Sequence, residues 1–294
     1  MLNGTKVKLV VFAPTLDNNI SRPVISTISS NTIEYNDASF FDLNGDPYNV
    51  VAAQFDITGS EVSYRTLESG LFLDVNDQTG FNGYALTFSA IKPGSGLSIR
   101  AADLIAGQTT LGVEKSDVFT DNNTLFVNVD GLQFVTNDKF LIELGFNVEG
   151  NAGNNDLSGM GGRDALRGRA GNDDLQGKGG RDILTGGQGA DVLTGGTAAD
   201  IFQFKLAAES SVSQRDRITD FSHKQGDRID VSDVGDFSFI GTARFSGDGI
   251  AELRFQLKSG DVYVVSGDTD GDGASDIVIS VDSSTALQKS DFIL

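Results

Sequence analysis

The 294-residue chain has no cysteine, no tryptophan and a single histidine, His223, and its 22 lysines and arginines are outnumbered by 41 acids. Each shortage excludes a class of chemistry. Without cysteine there is no disulfide framework, thiolate zinc site, iron–sulfur cluster or cysteine nucleophile. One histidine cannot supply a two-histidine metal site or the H-E-x-x-H helix of a zinc protease. A formal charge of −19 repels nucleic acid and anionic lipid and favours a cationic partner. No stretch reaches the roughly 18 apolar residues that span a bilayer, so no membrane insertion is expected. The run Leu9–Ala13 behind Lys6 and Lys8 is shorter than the signal-peptide core of about 7–15 residues, and Val7, Leu9 and Val11 alternate as in a strand. What the chain does have is 39% hydrophobic residues, enough for a real core.

Glycine is unevenly placed. Between Gly150 and Gly196 there are 15 glycines in 47 residues, and the other 21 are spread over the rest of the chain. The sequence therefore divides into residues 1–149, 150–203 and 204–294. Residues 1–149 carry 18 acids and 8 bases, and 204–294 carry 16 and 9, so both flanks are acidic, whereas 150–203 is nearly balanced at 7 and 5.

The glycine-rich block repeats every nine residues: GNAGNNDLS, GMGGRDALR, GRAGNDDLQ, GKGGRDILT, GGQGADVLT and GGTAADIFQ. Position 1 is always glycine. Position 4 is Gly153, Gly162, Gly171, Gly180 and Gly189, then Ala198; position 6 is Asn155, then Asp164, Asp173, Asp182, Asp191 and Asp200. Position 8 is Leu157, Leu166, Leu175, Leu184, Leu193 and Phe202. Glycines at fixed offsets permit tight turns with positive φ, and one large apolar residue per unit points into a shared interior. One unit cannot bury its leucine alone, so the units stack as a coil of short parallel strands. Stacking brings equivalent aspartates together, and such carboxylates repel each other unless a hard cation lies between them. A flexible linker needs no leucine in register, and a phosphate loop occurs once before a helix.

These residues resemble the GGxGxDxUx nonapeptide of the RTX (repeats-in-toxin) family. The resemblance implies a parallel β-roll whose turns alternate between two sides and hold calcium between stacked turns, through the position-6 aspartates and turn carbonyls. One stack comprises the turns beginning at Gly150, Gly168 and Gly186, the other those at Gly159, Gly177 and Gly195, with about four gaps for calcium. Position 2 is Asn151, Met160, Arg169 and Lys178 before it becomes Gly187 and Gly196, and Asn155 replaces the first aspartate. The later turns are accordingly expected to be the better sites and the first to be an edge.

Residues 204–294 look like the C-terminal segment of serralysin-type secreted proteins, on the pieces ADIFQF (199–204), DRITDF (216–221), GDRIDVS (226–232) and the terminal SDFIL. The resemblance implies a β segment that caps the roll and carries an uncleaved signal for a type I, ABC-transporter secretion apparatus, with Asp291-Phe292-Ile293-Leu294 at its end. It also implies that the protein is bacterial, secreted and extracellular. By the same resemblance Asp220 and Asp227 either ligate a further calcium or cap turns. Asp268, Asp270, Asp272 and Asp276 stand at positions 1, 3, 5 and 9 of a loop with Gly273 at position 6, as a calcium loop requires. An EF-hand needs glutamate at position 12, where Ile279 stands, and helices where Val262–Val265 and Ile277–Val281 read as strands. The loop is either a calcium-binding hairpin through Asp268, Asp270 and Asp272 or a solvated acidic turn. The protease domain of the serralysins has no counterpart here, and His223 is read as a surface residue.

Residues 1–149 show eight alternating apolar runs: 7–12, 49–57, 62–67, 71–75, 84–91, 97–101, 124–129 and 140–148. Turn residues such as Asn44-Gly45-Asp46 separate them. They predict an antiparallel β-sandwich, making the whole chain all-β. Three roles remain open for this part: a module binding extracellular polysaccharide or a cell surface, a polysaccharide-active enzyme with two catalytic carboxylates, or a structural part in adhesion. Tyr35, Tyr48, Tyr64 and Tyr84 are available for stacking on sugars, although each taken singly reads more readily as a core or rim residue than as a ligand contact.

Overall fold

The computed structural model describes residues 137–294 throughout. Before them it describes 6–12, 24–27, 40–41, 47–48, 53–58, 60–66, 70–71, 83–88, 96–105, 107–121, 123–129 and 132–135. Among these residues the regular structure is strand, with three short 3₁₀ turns and no α-helix. Among the described residues no helix is long and apolar enough to cross a membrane. The chain divides into two compact units, Met1–Gly145 and Phe146–Leu294.

The first unit contains an antiparallel sheet in the order Val118–Asp121, Thr124–Asn128, Gly83–Phe88, Lys6–Phe12, Val24–Thr27. Ala53–Thr58, Glu61–Thr66 and the first residues of Lys139–Glu149 form a second antiparallel arrangement. Alternation decides which side chains are inside. Ile57, Val62, Tyr64, Leu86, Phe88, Leu125, Val127, Phe140 and Ile142 are all buried, every second residue along their strands. Tyr64 stacks on Phe140 with ring centroids 4.7 Å apart, and its hydroxyl lies 3.3 Å from that of Tyr84. Tyr64 and Tyr84 are each 1% exposed, which makes them core residues and not a platform for a sugar. Tyr35 and the turn at 44–46 lie outside the described residues, as does the predicted run 71–75 beyond Leu71.

The second unit is a coil of parallel strands. One wall stacks Asn147–Glu149, Ala165–Ala170, Ile183–Gln188, Ile201–Gln203, Arg228–Asp230 and Phe292–Ile293. The other stacks Asp156–Ser158, Asp174–Gly179, Val192–Thr197, Arg217–Ile218 and Ile277–Asp282, then continues antiparallel through Val262–Asp268 to Glu252–Ser259. Equivalent residues of neighbouring strands are 18 apart within the repeats, so each nine-residue unit is half a turn of the coil. The walls run past residue 203 into the C-terminal segment without interruption.

The position-8 side chains form the interior. Leu166, Leu175, Leu184, Leu193 and Phe202 have no exposed surface, and Ile218, Ile229 and Val281 continue their rows. Each such side chain contributes about 1.5–3 kcal/mol by leaving water. Leu157 is only half-buried, because its unit has a neighbour on one side alone.

Candidate metal centre

Position 6 directly precedes the inward-facing stretch of each unit, and the turn folds back over it. Asp164, Asp173, Asp182, Asp191 and Asp200 are each at most 2% exposed. Burying an ionised carboxylate is costly unless its oxygens are satisfied. The fold satisfies one oxygen of each through the neighbouring turn. On one side of the roll the amide of Phe146 donates to Asp164 Oδ1 at 2.6 Å, Asp164 N to Asp182 Oδ1 at 2.8 Å, and Asp182 N to Asp200 Oδ1 at 2.9 Å. On the other, Asn155 N donates to Asp173 Oδ1 at 2.7 Å and Asp173 N to Asp191 Oδ1 at 2.8 Å.

Both ladders extend beyond the nonapeptides. Asp191 N donates to Asp216 Oδ1 at 2.9 Å, and Asp200 N to Asp227 Oδ1 at 3.0 Å. Asp216 is fully buried, with the 8%-exposed Glu209 near it. Neither Asp216 nor Glu209 is singled out by the nine-residue period. A legible signal did exist: Asp216-Arg217-Ile218 and Asp227-Arg228-Ile229 repeat the aspartate-x-aliphatic pattern of positions 6 to 8.

The second oxygens tell the other half. Asp173, Asp191, Asp200 and Asp216 each keep a buried Oδ2 with no hydrogen-bond partner. The Oδ2 atoms of Asp173 and Asp182 lie against the position-1 glycine of their own unit, where the carbonyl of the next stacked glycine also arrives. A Cβ on Gly168 or Gly177 would collide with the carboxylate and with the Gly186 or Gly195 oxygen respectively. These cradles of carboxylate and carbonyl oxygen fit a hard cation. Burial raises the pKa of Asp191 to about 6, of Asp200 to about 7 and of Asp216 to about 8, and neighbouring carboxylates add to the effect. Asp173 and Asp227 are raised by burial as well. The structure thus holds acids that ionise reluctantly beside oxygens that lack a partner.

The remaining candidates fall into place unequally. Asn155 is half-buried and spends its Oδ1 on the amide of Asn151, which marks the first unit as an edge. Gly153 is exposed and donates to the Asn151 side chain at 2.8 Å. Gly171, Gly180 and Gly189 have positive φ and pack on Gly153, Gly162 and Gly171 of the preceding turns. Gly187 and Gly196 pack on the Arg169 and Lys178 carbonyls. Asp220 accepts from the amides of Gly195 and Gly196 at 2.9 and 2.8 Å, capping the last turn. Asp227 spends its Oδ2 on Ser222 N.

In the 268–276 loop, ligand oxygens of Asp268, Asp270 and Asp276 lie within 4.8 Å of one another. Asp272 is not in that group and accepts instead from Ala274 N at 2.7 Å. Buried Asp268 receives the amides of Gly271 and Gly273, each at 2.7 Å. His223 is half-exposed and pairs with the buried Asp291.

Residues 154–294 match the family described as Peptidase M10 serralysin C terminal. No curated protein matches the chain. Among solved structures, the AlgE6R3 and AlgE6R2 subunits from the Azotobacter vinelandii mannuronan C5-epimerase are similar, both at 30% identity over 49% of this chain. They are covered over 80% and 90% of their own lengths, with TM-scores of 0.38 and 0.39. The family match spans the five nonapeptides from Gly159 onward and both aspartate ladders, so residues 154–294 are a serralysin-type C-terminal domain of the RTX type.

Proposed function

We propose that this chain is a secreted bacterial calcium-binding protein whose C-terminal unit folds on the ion after type I export. One observation carries the reading: the buried Oδ2 atoms of Asp173, Asp191, Asp200 and Asp216, which no donor reaches, lie along the two ladders. Asp164, Asp173, Asp182, Asp191, Asp200, Asp216 and Asp227, with turn carbonyls such as that of Gly186, are the residues that would hold the ions. When bound, calcium supplies the positive charge that lets these carboxylates stay ionised in the interior. The chain's own part is to present the oxygens in pairs of turns and to exclude water with the leucine rows. At low cytoplasmic calcium the mutual repulsion of the ladders keeps residues 146–294 unfolded and fit for export. Outside, sites of about 10⁻⁴–10⁻³ M affinity fill and hold the fold by mass action.

The terminal residues support the order of events. Asp291 is 1% exposed and Phe292 5%, and Phe292–Ile293 pairs in parallel with Arg228–Asp230. A terminal signal of this kind is readable only before the strand docks. Asp268, Asp270 and Asp276 are taken as the ligands of a separate ion in the hairpin loop, and Asp220 as a turn cap. The N-terminal unit, read as a β-sandwich, is the part that meets extracellular polysaccharide or a cell surface in adhesion, as a binding module and not as an enzyme.

The test is a calcium titration of the full chain, starting in chelator, followed by circular dichroism and limited proteolysis. The expected result is a gain of β signal and a loss of cleavage within 146–294 as calcium approaches the millimolar range. Equal β content and equal protection in chelator and in calcium would overturn the proposal. A glycan array probed with the calcium-loaded chain tests the role of the first unit.

A further inference from the structure

Within the C-terminal unit a cavity of about 520 Å³ is lined by Arg215, Thr242, Gln256, Leu257, Lys258 and Val264. Its origin is local. The edge strand Ser238–Gly241 pairs with Glu252–Arg254 only and turns away at Gly241, whose φ is +63°. From Gln256 onward the neighbouring strand therefore has no partner on that side, and the gap is the cavity.

The lining differs from the rest of the molecule. Two cations face it and no acid does, in a chain with 41 acids. The residues after Arg215 are committed elsewhere: Asp216 belongs to a ladder, and Arg217 binds Asp282 through its Nε at 3.1 Å. Arg215 has no such commitment, and its Nε is buried without a hydrogen-bond partner. Leu257 is 58% exposed, and Val264 pairs across the hairpin with Gln256. Thr242 and Gln256 add neutral groups that both donate and accept.

We propose that this cavity binds a small hydroxylated carboxylate. Its carboxylate meets Arg215 and Lys258, its hydroxyls meet Thr242 and Gln256, and its C–H face rests on Val264, on the face of the hairpin that Gln256 shares. Guanidinium and carboxylate match in shape and charge, so Arg215 is the main anchor and Lys258 a supporting point charge. The volume falls within the roughly 300–1,000 Å³ of small-molecule sites. The site requires the folded unit but uses none of the ladder aspartates.

The test is calorimetric titration of the full chain, in millimolar calcium, with glucuronate, and with glucose, acetate and sulfate as comparisons. Glucuronate is expected to bind at one saturable site, with glucose and acetate weaker by about tenfold or more, because each lacks one half of the complement. Arg215→Met is expected to abolish binding and Lys258→Ala to weaken it several-fold, both at an unchanged calcium midpoint for folding. Should Arg215→Met fail to fold, Lys258→Ala together with a fall in affinity on adding sodium chloride keeps the test decisive. Glucose binding as well as glucuronate, sulfate binding equally tightly, or indifference to Lys258→Ala would each overturn the proposal.

Discussion

Asp191 and Asp216 lie side by side on the roll although 25 residues separate them. The Asp191 amide donates to Asp216 Oδ1, and the Oδ2 of each is buried without a partner. The pair carries the ladder from the repeats into the C-terminal segment and sets out what substitution there should do.

Asp216→Asn keeps the shape and the accepting oxygen while removing one charge. Calcium binding is expected to weaken, moving the folding midpoint to roughly tenfold higher calcium, about 1.4 kcal/mol. In chelator the same variant is expected to be more stable than the parent, because one buried carboxylate has gone. Dichroism at the chelator baseline and through the calcium titration reads the two effects, and their opposite signs separate ligand loss from general damage.

The dependence on pH follows from the direction of the shifts. Asp191, Asp200 and Asp216 are raised to about 6, 7 and 8, above the roughly 3.9 of an unfolded aspartate. The folded state therefore holds protons that the unfolded state releases. In chelator their contribution is complete below about pH 4 and is lost as the pH rises through 6 to 8. With saturating calcium the trend reverses, because ligands must be deprotonated and acid expels the ion. The dichroism β signal read across pH is expected to fall with rising pH in chelator and to rise with it in calcium. Parallel lines would disprove the account.

Lys178 occupies position 2 of its unit with φ +78°, where Gly196, the stacked residue of the next turn, has +103°. Lys178→Gly is expected to stabilise the calcium-loaded protein by about 0.5–1 kcal/mol, since a left-handed backbone penalises a Cβ. Gly196→Ala is expected to destabilise by about 1–3 kcal/mol or more, because its Cβ would strike the Lys178 carbonyl. Thermal midpoints in calcium measure both, and a gain from Gly196→Ala would contradict the packing.

Much of the second unit is legible in the sequence because a strict period leaves little freedom. Glycine at positions 1 and 4, aspartate at 6 and leucine at 8 fix turn, ladder and core together, and Leu166 to Leu193 are where the pattern puts them. Asp216 is less visible, since the segment after Phe202 lengthens the step from 18 to 25 residues while hydrogen-bond register continues unchanged. Asp276 replaces Asp272 in the acidic cluster because its carboxylate folds back onto the amide of Thr269 at 2.7 Å, a closure that spacing does not encode. Tyr64 and Tyr84 have a composition equally suited to a sugar platform and to a core, and the strands that face them decide for the core.

By itself the sequence determined the coil, its leucine interior and the crowding of its aspartates, because those depend on local backbone permission and on like charges repeated at one interval. Only the tertiary structure decided which oxygens are left without a donor, how far the ladders run, and that Arg215 and Lys258 share a cavity. Each of those depends on residues distant in the chain, and burial and hydrogen-bond satisfaction exist only once the strands have stacked.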